Sequence, residues 1–276
     1  MLKKNIKFII LAITVFITNA FAQVTISPTT LFIDSQQRFE TLLIMNSSNV
    51  AQEIKLSWQF GYPKANENGD IAMIYDDAEE AAKHSAADWI RGFPKRFILE
   101  PGARQTVRVT VKAPRNLEDG TYWSRLKTTS NAVSAEIGTA EPGGITTNIS
   151  IQFNQVTAVF FKHGALSTGI DIENINNVVD GQNLHVLAHY KKTGNSPFLG
   201  TMYSKIIASS GTVVKEGQVL LSIYYDGLRR LDFDISDLPA GTYDVETTIS
   251  SGRGDILDGD TIEATPATAR SSFSKL

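Results

Sequence analysis

The sequence predicts an all-β protein: two β-sandwich domains in tandem, with a short helical insertion in the first. Three observations carry this. Apolar residues recur with a period of two, strand-like runs are bounded by Gly, Pro and Asn clusters, and one turn motif occurs twice. Alternation places one row of side chains on one face of a strand, and short Val-, Ile-, Thr- and aromatic-rich runs between turn residues are sandwich strands. The repeated motif is Leu117-Glu118-Asp119-Gly120-Thr121-Tyr122, echoed by Leu238-Pro239-Ala240-Gly241-Thr242-Tyr243. A turn followed by a strand that opens with Tyr is a tyrosine corner, in which the hydroxyl returns to the backbone just upstream. Two copies predict two immunoglobulin-like sandwiches, joined near residues 162–164.

Composition agrees. The chain has 276 residues, of which 42% are apolar and 20% charged, which is globular and excludes collagen, coiled coil and a disordered chain. Twenty-six basic residues stand against twenty-nine acidic ones, a net charge of −3. That balance argues against nucleic acid as a partner, since such binding needs a dense cationic face. The absence of cysteine excludes a disulfide scaffold, a thiolate metal site, a Cys nucleophile and an acylated lipoprotein anchor.

Residues 1–22 read as a cleavable signal peptide. Lys3, Lys4 and Lys7 form the charged start, residues 8–17 are almost wholly apolar, and Ala20-Phe21-Ala22 supplies the small-x-small site before Gln23. Ten or eleven apolar residues are too few for the ~20 that cross a bilayer. Cleavage leaves 23 basic and 29 acidic residues, −6, in a chain expected in a bacterial periplasm.

The first domain is read as residues 23–163. Phe39 to Met45 stops at the Asn46-Ser47-Ser48-Asn49 turn, Ile54, Leu56, Trp58 and Phe60 share a face, and Val107, Val109 and Val111 alternate with Thr and Arg. Residues 62–90 form an insertion holding the one helical signal, from Asp76 to His84, with its acids first and Lys83-His84 last, as the helix dipole prefers. Asp76, Asp77, Glu79 and Glu80 are its solvated face rather than a catalytic set. The second domain is read as residues 164–264, with strands over 184–191, 200–209, 213–221, 230–235 and 242–250 and turns at 174–177 and 194–197. Residues 265–276 are expected to be a flexible tail.

The first domain resembles the PapD-like periplasmic pilus-assembly chaperones. Val24-Thr25-Ile26-Ser27-Pro28 looks like the family's first strand, and Asn46-Ser47-Ser48 falls where its second strand ends. The most specific stretch is residues 94–109, where Phe97-Ile98-Leu99, a Pro101-Gly102 turn and Gln105-Thr106-Val107-Arg108 follow in the family's order. Val159-Phe160-Phe161-Lys162-His163 resembles the end of its last strand before the hinge. The resemblance covers residues 24–163, and the second domain matches only as a generic sandwich.

The resemblance implies a non-enzymatic chaperone that lends a strand to an incomplete subunit, by donor-strand complementation. Counted back from Val159, the family's donor residues fall on Ile149, Ile151 and Phe153, between polar Asn148, Ser150, Gln152 and Asn154. The alternative is that all three face their own domain's core, as in any half-buried strand. The two basic positions that hold a subunit's terminal carboxylate in the family are Thr30 and Ala158 here. Lys162, at the place of a family Arg of the interdomain contact, is the candidate cleft or hinge cation. The expected partners are an exported pilus-type subunit or other β-rich envelope protein and an outer-membrane usher, with no cofactor, metal, nucleic acid or small-molecule substrate. A second reading is a structural or adhesive envelope protein that kept the sandwich and lost client capture.

Enzyme signatures are missing: no G-x-S-x-G, Walker loop, H-E-x-x-H or dinucleotide fingerprint occurs. His185 and His189 share a strand face without further ligands, and Asp255, Asp258 and Asp260 fail the calcium-loop spacing. Arg253-Gly254-Asp255 reads as a turn.

Overall fold

A computed structural model describes residues 24–133, 151–257 and 259–276. Residues 1–22, expected to be a signal peptide, and Ile149 and Asp258 lie outside them. No helix among the described residues is long and apolar enough to cross a membrane.

The first sandwich packs two sheets face to face. One runs in the order β1 (Val24–Ser27), β3 (Phe39–Asn46), β9 (Arg104–Val111), β7 (Ile90–Phe93). The other runs β2 (Thr30–Asp34), β11 (Gln152–His163), β10 (Gly120–Ala132), β4 (Gln52–Gln59), β8 (Arg96–Leu99). Alternation decides what is buried: Leu42 and Ile44, Ile54 and Leu56, and Val107, Val109 and Val111 point inward and form one core with Leu126, Val159 and Phe161. The chain from Val24 to Asp34 changes sheets, since β1 is antiparallel to β3 while β2 is parallel to β11.

Between β4 and β7 lies the insertion: a hairpin of β5 (Tyr62–Ala65) and β6 (Ile71–Ile74), then helix α1 (Ala78–His84). Asp77 caps α1 by accepting from the Glu80 amide, and Lys83 closes on Glu79 and Glu80 at 2.9 and 3.1 Å. These acids are capping and surface groups.

The second sandwich packs β12 (Gly169–Asp180), β13 (Asn183–Thr193) and β16 (Gly227–Asp234) on a sheet of β15 (Val213–Ile223), β14 (Phe198–Ala208), β17 (Gly241–Ser251) and β18 (Ala267–Lys275). Leu184, Val186, Met202, Ile206, Val245 and Ile249 fill its core. Both tyrosine corners are present. The Tyr122 hydroxyl donates to Glu118 O at 3.1 Å and the Tyr243 hydroxyl to Pro239 O at 2.8 Å. The all-β architecture of two immunoglobulin-like domains is as expected from the sequence.

Two local expectations are corrected. The tail is ordered: Ala267–Lys275 pairs with β17 throughout, Phe273 stacks on Tyr243 at 5.4 Å, and Lys275 caps the carbonyls of Ile235 and Leu238 at 2.6 and 2.5 Å. Its residues alternate small and polar because an edge strand needs ladder partners more than apolar side chains. Residues 174–177 are strand rather than turn. A bulge between Ile172 and Asn174 absorbs the irregularity, and Asn177 Nδ2 reaches Ser271 Oγ at 2.8 Å to tie β12 to β18.

The domains meet just after β11. Gly164 takes a positive φ of 66°, and a Cβ there would collide with the Asp119 carboxylate, so only glycine fits this turn. Asn195 Nδ2 bonds Asp119 O at 3.0 Å, and the hydroxyls of Thr121 and Ser196 meet at 2.8 Å.

Candidate functional site

Strand β11 has two unlike halves. On one side it pairs with β10 along its whole length, from Gly120 opposite His163 to Asn131 opposite Gln152. On the other side β2 covers only Ala158 to Lys162. Over residues 152–157 no strand among the described residues pairs with that edge. The Ala158 N–H points to this side, since it donates to Thr29 O at 3.3 Å. Backbone groups alternate along a strand, so the N–H and C=O groups of Gln152, Asn154 and Val156 are directed at the open edge. One side chain, Gln155, bridges the gap, donating to Val24 O at 2.9 Å.

Side-chain parity is continuous, because the β10–β11 ladder has no register shift. Thr157, Val159 and Phe161 face the core and are buried. Phe153 continues that row yet is 41% exposed, and Ile151, one residue before the strand, is 59% exposed. Val156 is exposed on the opposite face. The open half therefore carries an apolar row past the end of its own core. The floor beneath it is polar: Thr128 and Ser130 of β10 and Gln52 of β4 are buried, each with a side-chain oxygen that has no partner among the described residues. Exposed Ile151 and Phe153 thus stand at the end of β11 whose outer edge has no partner strand among the described residues.

The cleft between the domains is built differently. Thr30 and Ala158 stand side by side in the parallel β2–β11 register, and both are neutral. The cation of this region comes from the neighbouring strand: Arg125 of β10 lies opposite Ala158 and is only 7% exposed. Its Nε donates to Gly61 O at 2.9 Å and one Nη donates to the Tyr224 hydroxyl at 2.8 Å, with the guanidinium 5.4 Å from that ring. Sequence reasoning missed Arg125. The available signal was an arginine in a run of hydroxyl and aromatic residues with no acid nearby in the chain.

Around Arg125 the insertion and the second domain interleave their aromatics. Phe60, Tyr62, Trp123, Phe160, Leu199 and Tyr224 form one buried cluster. Phe60, expected on the core face of its strand, belongs here because β4 ends at Gln59. The Tyr62 hydroxyl donates to Asp77 Oδ2 at 2.6 Å; burial and this carboxylate push Tyr62 far above the usual phenol range, while the same bond holds Asp77 below the usual carboxylate range. His84 stacks on Trp123 at 4.8 Å, and burial lowers its pKa.

Lys162 lies at the hinge. Its ammonium donates to Asp260 O of the second domain at 2.5 Å and sits 4.8 Å from the Phe32 ring, and burial lowers its pKa. Such an arrangement ties domains together; it presents no free cation to a ligand. The remaining motifs are self-contained. Arg253 forks onto Asp255 with bonds of 2.9 and 2.6 Å, and His185 pairs with Asp232 at 2.6 Å. No group of three or more metal-ligating side chains occurs among the described residues.

No protein-family model and no curated protein matches the chain. Among solved structures it is similar to the YadV chaperone, with a TM-score of 0.46 and 11% identity over 91% of this chain and 100% of the other. It is also similar to a complex of the Salmonella enterica SafA pilin with the SafB chaperone (TM-score 0.44, 15% identity, 90% and 96% covered) and to the E. coli chaperone DraB (0.43, 10%, 89% and 95%). Likenesses of this size carry no functional argument.

Proposed function

We propose that the protein is a non-enzymatic, ATP-independent periplasmic chaperone that holds exported β-rich subunits, of pilus type, by lending them the open half of β11. One observation carries the reading: a strand whose outer edge has no partner strand over residues 152–157 among the described residues, with the apolar side chains of Phe153 and adjoining Ile151 in solvent. A client segment laid along that edge gains backbone hydrogen bonds, while the alternate side chains fill its groove and fix register. Each apolar side chain buried in this way supplies roughly 1.5–3 kcal/mol. Ile149, two residues further along the same alternation, extends the row in this reading. Cleavage of residues 1–22 as a signal peptide would deliver the protein to the compartment where such clients pass, and an outer-membrane usher would receive them.

The test is affinity capture from native envelope extract with tagged residues 23–276, beside the Ile151→Asp form, and mass spectrometry of the eluates. A stoichiometric exported partner that is lost with Ile151→Asp supports the proposal. The same partners with both forms, or none, would contradict it.

A second reading, a structural or adhesive envelope protein, is favoured by one observation. Beside Thr30 and Ala158, which are neutral, the cations Arg125 and Lys162 are bound to the protein's own oxygens. A client gripped along a strand edge alone accommodates this arrangement, so the chaperone reading is preferred.

A further inference from the structure

The second domain has an open side of its own. β12 and β18 approach on one flank through Asn177 and Ser271, but on the other flank β15 and β16 are both edge strands of their sheets. Between them, and bounded by the β5–β6 hairpin, lies a groove of about 760 Å³. That volume is within the range of ligand pockets, and two edge strands present unpaired backbone groups along its walls.

Three arginines line this groove, and two are neutralised. Arg230 pairs with Asp70 at 2.8 Å and Asp232 at 3.1 Å, and it also donates to Asn68 O at 2.7 Å. Arg253 forks onto Asp255. Arg229 has neither an ion pair nor a side-chain hydrogen bond among the described residues, and its Nε is sealed from solvent without a partner. It shares the inward row of β16 with Leu231 and Phe233, opposite buried Ala188, so the guanidinium is aimed into the sandwich where the groove opens. Burial, and neighbouring Arg230 after it, lower the pKa of Arg229, and burial pushes the Tyr190 phenol beside it up to about 12. A half-buried cation with an orphaned donor is costly unless something supplies an anion.

We propose that this groove is a second binding site, which takes an extended peptide segment carrying an acidic side chain, with Arg229 receiving the carboxylate. The free edge of β15 or β16 pairs with the segment's backbone, as strand edges do with peptides. With Nε sealed, the two Nη groups of the planar guanidinium are what meets a carboxylate, with two parallel N–H···O bonds. Arg229 and both strand edges belong to the second domain, one wall of the groove is the first domain's β5–β6 hairpin, and the site does not depend on how β11 is used.

The test uses residues 23–276 and two acetylated, amidated peptides, Thr-Val-Thr-Asp-Thr-Val-Thr and its Asn analogue, followed by amide chemical shifts. The expected result is that the Asp peptide moves the amides of residues 218–221 and 228–232. The Asn analogue binds at least about tenfold more weakly, the scale of one charge-assisted bond. Arg229→Gln abolishes that preference, and Arg229→Lys, which keeps the charge and folds if the glutamine form does not, retains part of it. Equal binding of the two peptides, an undiminished preference in Arg229→Gln, or no binding by either would overturn the proposal. In the last case Arg229 serves only as an inward charge that keeps an edge strand from pairing with another copy.

Discussion

The two halves of β11 share one strand, one ladder with β10 and one alternation, yet they differ in what lies beside them. From Ala158 to Lys162 both edges are paired, and Val159 and Phe161 are core. Over residues 152–157 one edge has no partner strand among the described residues, and the same row of side chains emerges into solvent at Phe153. The difference teaches that alternation fixes which face a residue takes, while the neighbouring strand decides whether that face is core or binding surface.

The sharpest way to separate the halves is to truncate the same side chain in each. Phe161→Ala should destabilise the first domain by about 3–5 kcal/mol in urea unfolding. Phe153→Ala should change stability by no more than about 0.5 kcal/mol, as an exposed substitution does. Comparable losses at the two sites would break the comparison.

Next in size is Arg125, which joins the closed half's surroundings to the second domain. Arg125→Met removes charge-assisted bonds to Gly61 O and the Tyr224 hydroxyl and should cost about 1.5–3 kcal/mol. It should also widen the distribution of interdomain angles in small-angle scattering. Tyr122→Phe and Tyr243→Phe each delete one corner bond, and each should lower stability by about 1 kcal/mol, in its own domain.

A smaller effect depends on pH. Burial against Trp123 lowers the pKa of His84 in the folded chain, so the unfolded chain binds that proton first. Stability should therefore fall as pH drops below the ordinary imidazole value of ~6.5 and level off below the folded value. His84→Gln should flatten this part of the urea-midpoint profile between pH 7 and 5; an unchanged slope would remove His84 as its source.

Much of the fold was legible because it rests on local signals. Leu117 to Tyr122 and Leu238 to Tyr243 announced both corners, and the valines of β9 announced their face. Asp77 and Lys83-His84 marked the ends of α1 to within a residue or two. The misread places are those where the partner is remote in sequence. Residues 267–275 look like a tail until β17 supplies a ladder, and 174–177 look like a turn until Ser271 binds Asn177. The candidate site was legible in part. Ile151 and Phe153 follow from alternation, whereas the open edge beside them depends on where β2 stops. Arg125 was hidden because its partners, Gly61 O and Tyr224, lie 64 and 99 residues away.

Addition of a client strand to the open half of β11 would be read directly by amide hydrogen exchange with and without the captured partner. The N–H groups of Asn154 and Val156 point to the free edge, whereas those of Gln155 and Thr157 point to β10. Asn154 and Val156 should exchange fast alone and become strongly protected in the complex, while Gln155 and Thr157 are slow in both. A bound client that leaves Asn154 and Val156 exchanging as in the free protein would contradict strand addition.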